Sequence, residues 1–171
     1  AYHADSGGLI WEADLGEVFN AAPAVDDELV VVSTAGGRVF GLSRDGGQVL
    51  WENERAIRSQ LTIAGGATPT MRGEHIFVGY PDGALGALDR SGDEVWLADL
   101  ANGEERLRDV DTTPLVAGDG VFAASFAGGL YRMNRSTGAI EWRLDIKGAT
   151  SPVAVGESLV TTSADGSVLW V

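Results

Sequence analysis

Residues 69–96 read PTMRGEHIFVGYPDGALGALDRSGDEVW, and this stretch decides the fold of the whole chain. Short apolar runs alternate in it with Gly and Asp pairs, a pattern typical of β-strands joined by tight turns rather than of helices. A proline opens the stretch, and a tryptophan closes it. Nearly the same separation recurs from Pro23 to Trp51 and from Pro114 to Trp142. The chain is therefore interpreted as an internal repeat.

Each repeat unit is expected to contain four short strands, except the last, which contains three. The expected strands are 23–25, 29–34, 38–42 and 48–52; 69–71, 75–80, 84–88 and 94–100; 114–116, 121–126, 130–133 and 139–146; and 152–155, 159–163 and 168–171. Gly-Gly or Asp-Gly pairs such as Asp82-Gly83 separate the second and third strands, and they supply the positive φ that tight hairpins need. Four-stranded antiparallel units that repeat at this interval, on the order of 40 residues, are typical of β-propeller blades.

The repeat is interrupted at both ends of the sequence. Trp11 has no proline before it, and Pro152 has no matching tryptophan after it, but the two remnants joined head to tail would make one interval of nearly the usual length. We therefore predict one all-β β-propeller domain over residues 1–171, with four four-stranded blade equivalents, one of them split between the termini. A self-closed ring of four blades, an arc of a larger ring and half of a dimer are all compatible with this pattern. The repeated tryptophans are expected to pack between neighbouring blades.

Composition narrows the classes of function. The formal net charge is -13, and binding to nucleic acid depends on clustered Lys and Arg, so the sequence predicts no nucleic-acid role. The absence of cysteine excludes disulfides and thiolate metal sites. A transmembrane helix needs a run of about 20 apolar residues, and the sequence contains none, so no transmembrane segment is predicted. The acidic surface is expected to be solvated, with a salt-adapted source or a basic partner as alternatives.

Three motifs carry a resemblance to known families. Residues 89–96, DRSGDEVW, and 134–142, NRSTGAIEW, resemble the Asp-x-x-Thr-Gly-x-x-x-Trp repeat of the pyrroloquinoline-quinone (PQQ) type propellers. Residues 106–114, RLRDVDTTP, are similar to the Arg-Leu-x-Asp-Val-Asp-Thr-Thr-Pro string of the BamB family, the propeller lipoproteins of the outer-membrane β-barrel assembly machine. Members of that family have eight blades, so the resemblance implies that this chain corresponds to about half of one.

The resemblance to the BamB family also implies a site that binds a partner protein. In that family the two motif aspartates, and a Leu-x-Leu-Arg string upstream of them, contact the barrel protein BamA. The matching positions here are Asp109 and Asp111, and Leu61 and Ile63, while Ala64 replaces the arginine. The implied function is that of a non-enzymatic periplasmic scaffold or adaptor, peripheral to the outer membrane, in the assembly of outer-membrane β-barrel proteins. No cofactor is implied, and a lipid anchor would lie outside this chain.

The expected strand order points independently to the same part of the molecule. Strand direction alternates within a blade, so the connections between blades emerge on the same face as the loops between second and third strands. Two of these connections, 53–68 and 101–110, are unusually long and flank one blade. Long loops on a rigid scaffold commonly carry function. We therefore expect the four candidate residues to converge on one patch.

Other interpretations of the same residues stay open. One alternative for Asp109 and Asp111 is a structural role alone, in which the carboxylates accept hydrogen bonds from nearby backbone N–H groups where the turn enters the strand. A calcium loop is disfavoured because Thr112, Thr113 and Pro114 stand where oxygen ligands and a turn glycine are expected. A quinoprotein dehydrogenase is disfavoured by the missing cysteines and the lack of a ligand cluster. The alternative function is that of a generic PQQ-repeat propeller module that binds a carbohydrate, a peptide or another surface ligand.

Overall fold

The computed structural model describes residues 1–57, 67–101, 103 and 109–171, and all regular structure in these ranges is β. The strands are β1 (Ala24–Val25), β2 (Leu29–Ser33), β3 (Arg38–Ser43), β4 (Val49–Glu54), β5 (Thr70–Arg72), β6 (His75–Gly79), β7 (Ala84–Leu88), β8 (Glu94–Asp99), β9 (Leu115–Ala117), β10 (Gly120–Ser125), β11 (Gly129–Asn134), β12 (Ile140–Leu144), β13 (Val153–Val155), β14 (Ser158–Thr162) and β15 (Val168–Trp170). Within the described ranges, no helix has the length and apolar character needed to cross a membrane.

The strands form four separate antiparallel sheets in chain order. Strands β1–β4, β5–β8 and β9–β12 make the first, second and third blades, and β13–β15 make a three-stranded fourth blade. This arrangement confirms the predicted propeller architecture. Each innermost strand begins one residue after its proline, as Ala24 follows Pro23, because proline has no N–H to donate to the ladder.

One irregularity recurs in the three complete blades. The pairing of the third and fourth strands shifts register between Gly41 and Leu42, between Ala87 and Leu88, and between Arg132 and Met133. A bulge of this kind adds local twist to a sheet. The sequence analysis did not predict it.

The apolar core lies between blades. Each interface joins buried residues of two blades: Val31, Val39, Ile76, Val78 and Leu88 between the first and second; Phe77, Leu85, Trp96, Val121, Tyr131 and Met133 between the second and third; Phe122, Leu130 and Leu159 between the third and fourth. Burial of this apolar area is the main stabilising contribution to such a fold, at about 25 cal/mol per Å². The position of each blade is therefore fixed mainly by its neighbours.

A contact between glycine and tryptophan recurs at the blade interfaces. Gly47, Gly92 and Gly138 lie in the turns before the fourth strands, at φ of +70°, +85° and +72°. A Cβ atom at these positions would come within 2.4, 2.5 and 2.5 Å of the indoles of Trp11, Trp51 and Trp96 respectively. Each tryptophan therefore packs on the turn glycine of the next blade, an arrangement we call the glycine–tryptophan contact. It confirms that the tryptophans pack between blades.

The indole N–H groups differ among these contacts. Trp11 Nε1 donates to Arg44 O at 2.8 Å, and Trp96 Nε1 donates to Arg135 O at 2.9 Å. Trp51 Nε1 is buried and has no hydrogen-bond partner among the described residues. Hydrogen bonding therefore reinforces only some of the repeated contacts.

Among the described residues, no strand of the first blade pairs with a strand of the fourth. The start of the chain forms a small hairpin with a bridge from Tyr2 to Leu9, and Trp11 lies after this bridge, outside any regular strand, where a fourth strand was expected. At the other end, Val153 is 60%, Val168 74% and Trp170 68% exposed, so no blade covers that face. The described residues therefore form an open arc.

Candidate functional site

The candidate site lies on the rim formed by the β2–β3, β6–β7, β10–β11 and β14–β15 hairpins and by the connections between blades, which we call the loop rim. The acidic segment 109–113 approaches the second blade here. Val110 N donates to Tyr80 O at 3.1 Å. A Cβ atom on Gly79 would lie 2.3 Å from Val110 O, so the glycine permits a close approach of the two backbones.

The same segment is fixed to the third blade by a threonine. Thr112 is buried, and its Oγ1 both donates to Ala124 O and accepts from Ala124 N, at 2.9 Å in each case. Thr113 N donates to Ser151 Oγ of the next connection at 3.0 Å. The segment is therefore held between neighbouring units, which fixes the direction of its acidic side chains.

The two motif aspartates occupy different environments. Asp109 is only 2% exposed, whereas Asp111 is partly exposed at the surface. Burial raises the pKa of the Asp111 carboxyl above its usual 3.8, and the negative charge of Asp109 raises it further. The structure thus brings these two predicted residues together. The other two, Leu61 and Ile63, together with Ala64, lie outside the described residues and stay predictions.

Asp111 borders a cleft of about 390 Å³ between the third and fourth blades. The described lining residues are Asp111, Thr112, Phe126, Gly148, Ala149, Thr150 and Ser151. Gly148 N donates to Phe126 O at 2.9 Å, which joins two of these lining residues. Among the described lining residues Asp111 alone is charged, so the cleft combines one carboxylate with an aromatic ring and hydroxyl groups.

Two arginine–tyrosine pairs lie at the loop rim, and the sequence analysis did not predict them. The Arg55 guanidinium lies 5.5 Å from the ring centre of Tyr80, and its Nε donates to an Asp82 carboxylate oxygen at 2.8 Å. Arg143 lies 5.9 Å from the ring centre of Tyr131. These residues occupy different positions in their blades, so no repeated spacing indicates them.

Both tyrosines are held as neutral phenols. Burial raises the pKa of Tyr80 to about 12, and burial also raises the pKa of Tyr131. The Tyr131 hydroxyl donates to Leu100 O at 3.0 Å. Tyr80 therefore acts as a packing group at the loop rim, and Tyr131 acts as a packing group and a hydrogen-bond donor.

Residues 1–57, 67–101 and 109–171 contain no group of three or more His, Cys, Asp or Glu side chains arranged to hold a metal ion. Of the two motif aspartates only Asp111 reaches the surface, so the site is a single partly exposed carboxylate beside a cleft.

Comparison with known proteins identifies the family. The family model for the outer membrane protein assembly factor BamB matches residues 1–171. The chain belongs to the BamB family. The BamB of Shewanella oneidensis is 32% identical over 148 residues, which cover 83% of this chain and 37% of that protein. For the BamB of Vibrio cholerae the identity is 31% over 150 residues, covering 84% of this chain and 38% of that protein. The chain thus spans well under half the length of these relatives.

Solved structures agree with this assignment. The crystal structure of BamB from Moraxella catarrhalis superposes with a TM-score of 0.87 at 25% identity, over 99% of this chain and 53% of that one. A quinohemoprotein alcohol dehydrogenase from Comamonas testosteroni is 22% identical, with a TM-score of 0.62 over 75% of this chain and 21% of that one. The likeness to the dehydrogenase concerns the fold alone. The predicted resemblance to the BamB family is therefore confirmed.

Proposed function

We propose that this chain is a non-enzymatic docking module in the assembly of outer-membrane β-barrel proteins, peripheral to the outer membrane on its periplasmic side. The partner is a BamA-like barrel assembly protein. The chain belongs to a family whose members are named outer membrane protein assembly factors, and this supports a role in that assembly process. The observation that carries the docking site is Asp111, a carboxylate that is partly buried beside a second aspartate on a segment fixed between two blades.

The chemistry of Asp111 defines what the partner should present. An ionised carboxylate that is half-desolvated and close to Asp109 is less stable than the same group in water. A basic side chain of the partner would relieve that cost, and the bond would be charge-assisted. Leu61 and Ile63 are proposed to add the apolar part of the contact. Asp109 is buried, so we assign it to shaping the acidic segment behind Asp111.

The test uses Asp111→Asn and Asp111→Arg with the soluble periplasmic domains of a BamA-like protein. We expect the dissociation constant to rise about tenfold or more for Asp111→Asn, because a charge-assisted contact is lost, and binding to vanish for Asp111→Arg. Thermal unfolding of Asp111→Asn should stay unchanged or shift slightly upward, because the variant removes a carboxylate that burial destabilises. Calorimetric titration and thermal denaturation measure the two effects.

Asp27→Asn is the matched control, because Asp27 is a fully exposed aspartate in the β1–β2 turn, away from the loop rim. Its binding should equal that of the unmodified chain. Binding retained by Asp111→Arg would reject the proposed site. Asp109 is unsuitable for this test because a change at a buried position would also lower the stability of the fold.

A further inference from the structure

Three arginine or lysine side chains form no ion pair among the described residues, although the chain carries 25 acidic residues. They are Arg72, Arg135 and Lys147. Arg72 is exposed, and Arg135 is partly buried. A guanidinium that is partly removed from water without an opposite charge is unfavourable. An anion from outside the chain would relieve this cost.

The boundary between the first and second blades shows what occupies the matching positions there. Arg90 Nη1 donates to an Asp26 carboxylate oxygen at 2.6 Å, and Arg90 Nη2 donates to a Glu28 carboxylate oxygen at 3.3 Å. The two acids lie in the β1–β2 turn, and the arginine lies in the β7–β8 turn. These turns and their counterparts in the other blades form the rim opposite the loop rim, which we call the turn rim. An arginine of one blade thus neutralises acids of the blade before it.

At the boundary between the second and third blades, an arginine replaces the first of these acids. Arg72 stands three residues after the proline of its blade, as Asp26 does in the first blade. Arg135 stands two residues after the last residue of the third strand that pairs with the fourth, as Arg90 does. The positions that hold opposite charges at the first boundary therefore hold two arginines at the second.

The register of the second blade directs Arg72 toward the third blade. Thr70 and Arg72 lie two residues apart on β5, so their side chains share one face of the sheet. Thr70 Oγ1 donates to Pro114 O, at the entry to the third blade, at 2.6 Å. His75 pairs with Arg72 and therefore lies on the same face. Arg72 and His75 thus face the blade that carries Arg135.

Arg135 approaches the same boundary from the third blade. Its backbone O accepts from Trp96 Nε1 of the second blade at 2.9 Å, so the turn that carries it packs on that blade. A row of rings leads from there to the turn rim: the ring centres of Trp96 and Phe77 lie 5.9 Å apart, as do those of Phe77 and His75. Arg72, His75 and Arg135 therefore border one stretch of the turn rim, which we call the arginine notch.

Nearby carboxylates do not neutralise the arginine notch. Glu74, in the β5–β6 turn, and Glu94, at the start of β8, are exposed and form no ion pair within the described part of the chain. Asp119 O accepts from Arg135 N at 2.8 Å, but the Asp119 carboxylate binds Arg132 at 2.7 Å. The notch therefore presents positive charge on a rim that is otherwise rich in acids.

We propose that the arginine notch binds a phosphate group, either as inorganic phosphate or as a phosphomonoester carried by a larger molecule. Each guanidinium presents a planar fork of N–H donors, and a phosphomonoester has three terminal oxygens that can accept from both forks. One fork already satisfies both oxygens of a carboxylate. The net charge of -13 would repel an extended polyanion such as nucleic acid or an anionic membrane, which favours a compact ligand.

NMR titration of the whole chain with inorganic phosphate tests this site, at a constant ionic strength of about 0.1 M. The side-chain Nε–H signals of Arg72 and Arg135 should shift together, with a dissociation constant on the order of 1 mM. The signal of Arg44, which pairs with Asp27 on the same rim, should stay in place. Acetate that binds as tightly as phosphate, or no saturating shift up to about 20 mM phosphate, would overturn the proposal.

Arg72→Gln and Lys147→Gln separate the notch from a general effect of charge. Arg72 is exposed, so its replacement should leave the fold intact, and the dissociation constant for phosphate should rise about tenfold or more. Lys147→Gln removes the same charge from a side chain that also lacks an ion pair, but Lys147 lies on the loop rim, where its O accepts from Ala164 N at 3.1 Å. Equal effects of the two variants would contradict the proposal.

Glu74→Gln provides an arm of opposite sign. It removes a carboxylate from the turn that carries Arg72, so repulsion of the phosphate falls and the dissociation constant should decrease about two- to fivefold. A dissociation constant that stays the same or rises would place the phosphate away from this turn and would contradict the assigned site.

Glycerol 3-phosphate distinguishes the two sources of the phosphate group. Binding at least as tight as that of inorganic phosphate, and weakened by Arg72→Gln, would support an ester-borne group, whereas weaker binding would support free phosphate. The notch lies on the rim opposite Asp111, so Arg72→Gln should leave binding to the BamA-like domains unchanged. Failure of the phosphate site and failure of the docking site are therefore separate results.

Discussion

Gly92 lies at φ +85° with the indole of Trp51 where its own Cβ would be, so two independent requirements select glycine at this position. Any L-residue at this φ is strained, and any side chain would have to displace a ring that is packed between two blades. Gly73, at φ +60°, meets the first requirement alone, because a Cβ atom there has no neighbour within 4 Å. The two glycines therefore separate backbone strain from packing.

We predict that Gly92→Ala lowers the free energy of unfolding by about 2 to 4 kcal/mol, the sum of strain and overpacking. Gly73→Ala, the control, should cost only about 1 kcal/mol. Urea denaturation of both variants measures the difference. Equal losses would mean that the indole moves aside and that the contact contributes little.

At this scale the sequence predicted the candidate site only in part. The resemblance to the BamB motif pointed to Asp109 and Asp111 at the entry to the third blade, and the structure places both on one segment there. The sequence could not show that Asp109 is buried and Asp111 partly exposed, because that difference comes from how the segment packs against Tyr80. The Arg55–Tyr80 pair escaped prediction for the same reason, since its members meet only after the blades pack.

Between elements, an ion pair joins the β1–β2 turn of the first blade to the β7–β8 turn of the second. Arg90 Nη1 donates to an Asp26 carboxylate oxygen at 2.6 Å. The other Asp26 carboxylate oxygen accepts from the backbone N–H groups of Glu28 and Leu29, each at 2.9 Å. The hydrogen bond from Arg90 is the main cause that holds the pKa of Asp26 well below its usual 3.8. This carboxylate therefore favours the folded chain when it is ionised.

The sign of this effect predicts an acid sensitivity. Because the folded pKa lies below the unfolded value, the contribution is present above the usual 3.8 and is lost as the pH falls below it. Asp26→Asn should lower the free energy of unfolding near neutral pH by about 1 kcal/mol and flatten the loss of stability between about pH 4 and 2. Thermal denaturation at stepped pH compares the variants. An Asp26→Asn chain with an undiminished loss below about pH 4 would contradict this account.

Strands and turns were predictable because their signals are local. Most of the expected segments agree closely with the observed strands, as 84–88 agrees with Ala84–Leu88, since Gly and Asp pairs mark the turns on either side. The bulge near the start of each fourth strand was missed, because its extra residues, Leu50, Val95 and Glu141, share no residue type. It belongs to the twist of the sheet rather than to one side chain.

For the whole molecule, the repeat revealed the number of blades but not how the ends are arranged. Whether an arc closes depends on small rotations between successive blades, which add over the chain and leave no residue signal. The exposed Val153, Val168 and Trp170 show the open form directly. The net charge of -13 over 171 residues is also a property of the whole molecule, and it makes electrostatic repulsion between carboxylates general across the surface.

We predict that moderate salt stabilises the chain. Raising sodium chloride from about 0.05 to 0.5 M shortens the range of repulsion among the carboxylates, so the thermal midpoint should rise by a few degrees. The ion pairs of the arginines oppose this trend, but exposed pairs contribute only about 0 to 1 kcal/mol each. Calorimetry at each salt concentration measures the effect. A falling midpoint would show that attraction between opposite charges outweighs the repulsion.

The recurring placement of an indole on a turn glycine also bears on how such a chain could change in length. Three boundaries use the same pair of surfaces, in the contacts of Trp11 with Gly47, Trp51 with Gly92 and Trp96 with Gly138. A gene that duplicated or lost one whole unit would create a boundary between surfaces that already fit each other. Duplication of a whole repeat unit therefore requires no new side-chain contacts at the boundaries, only a slightly different angle between neighbouring units.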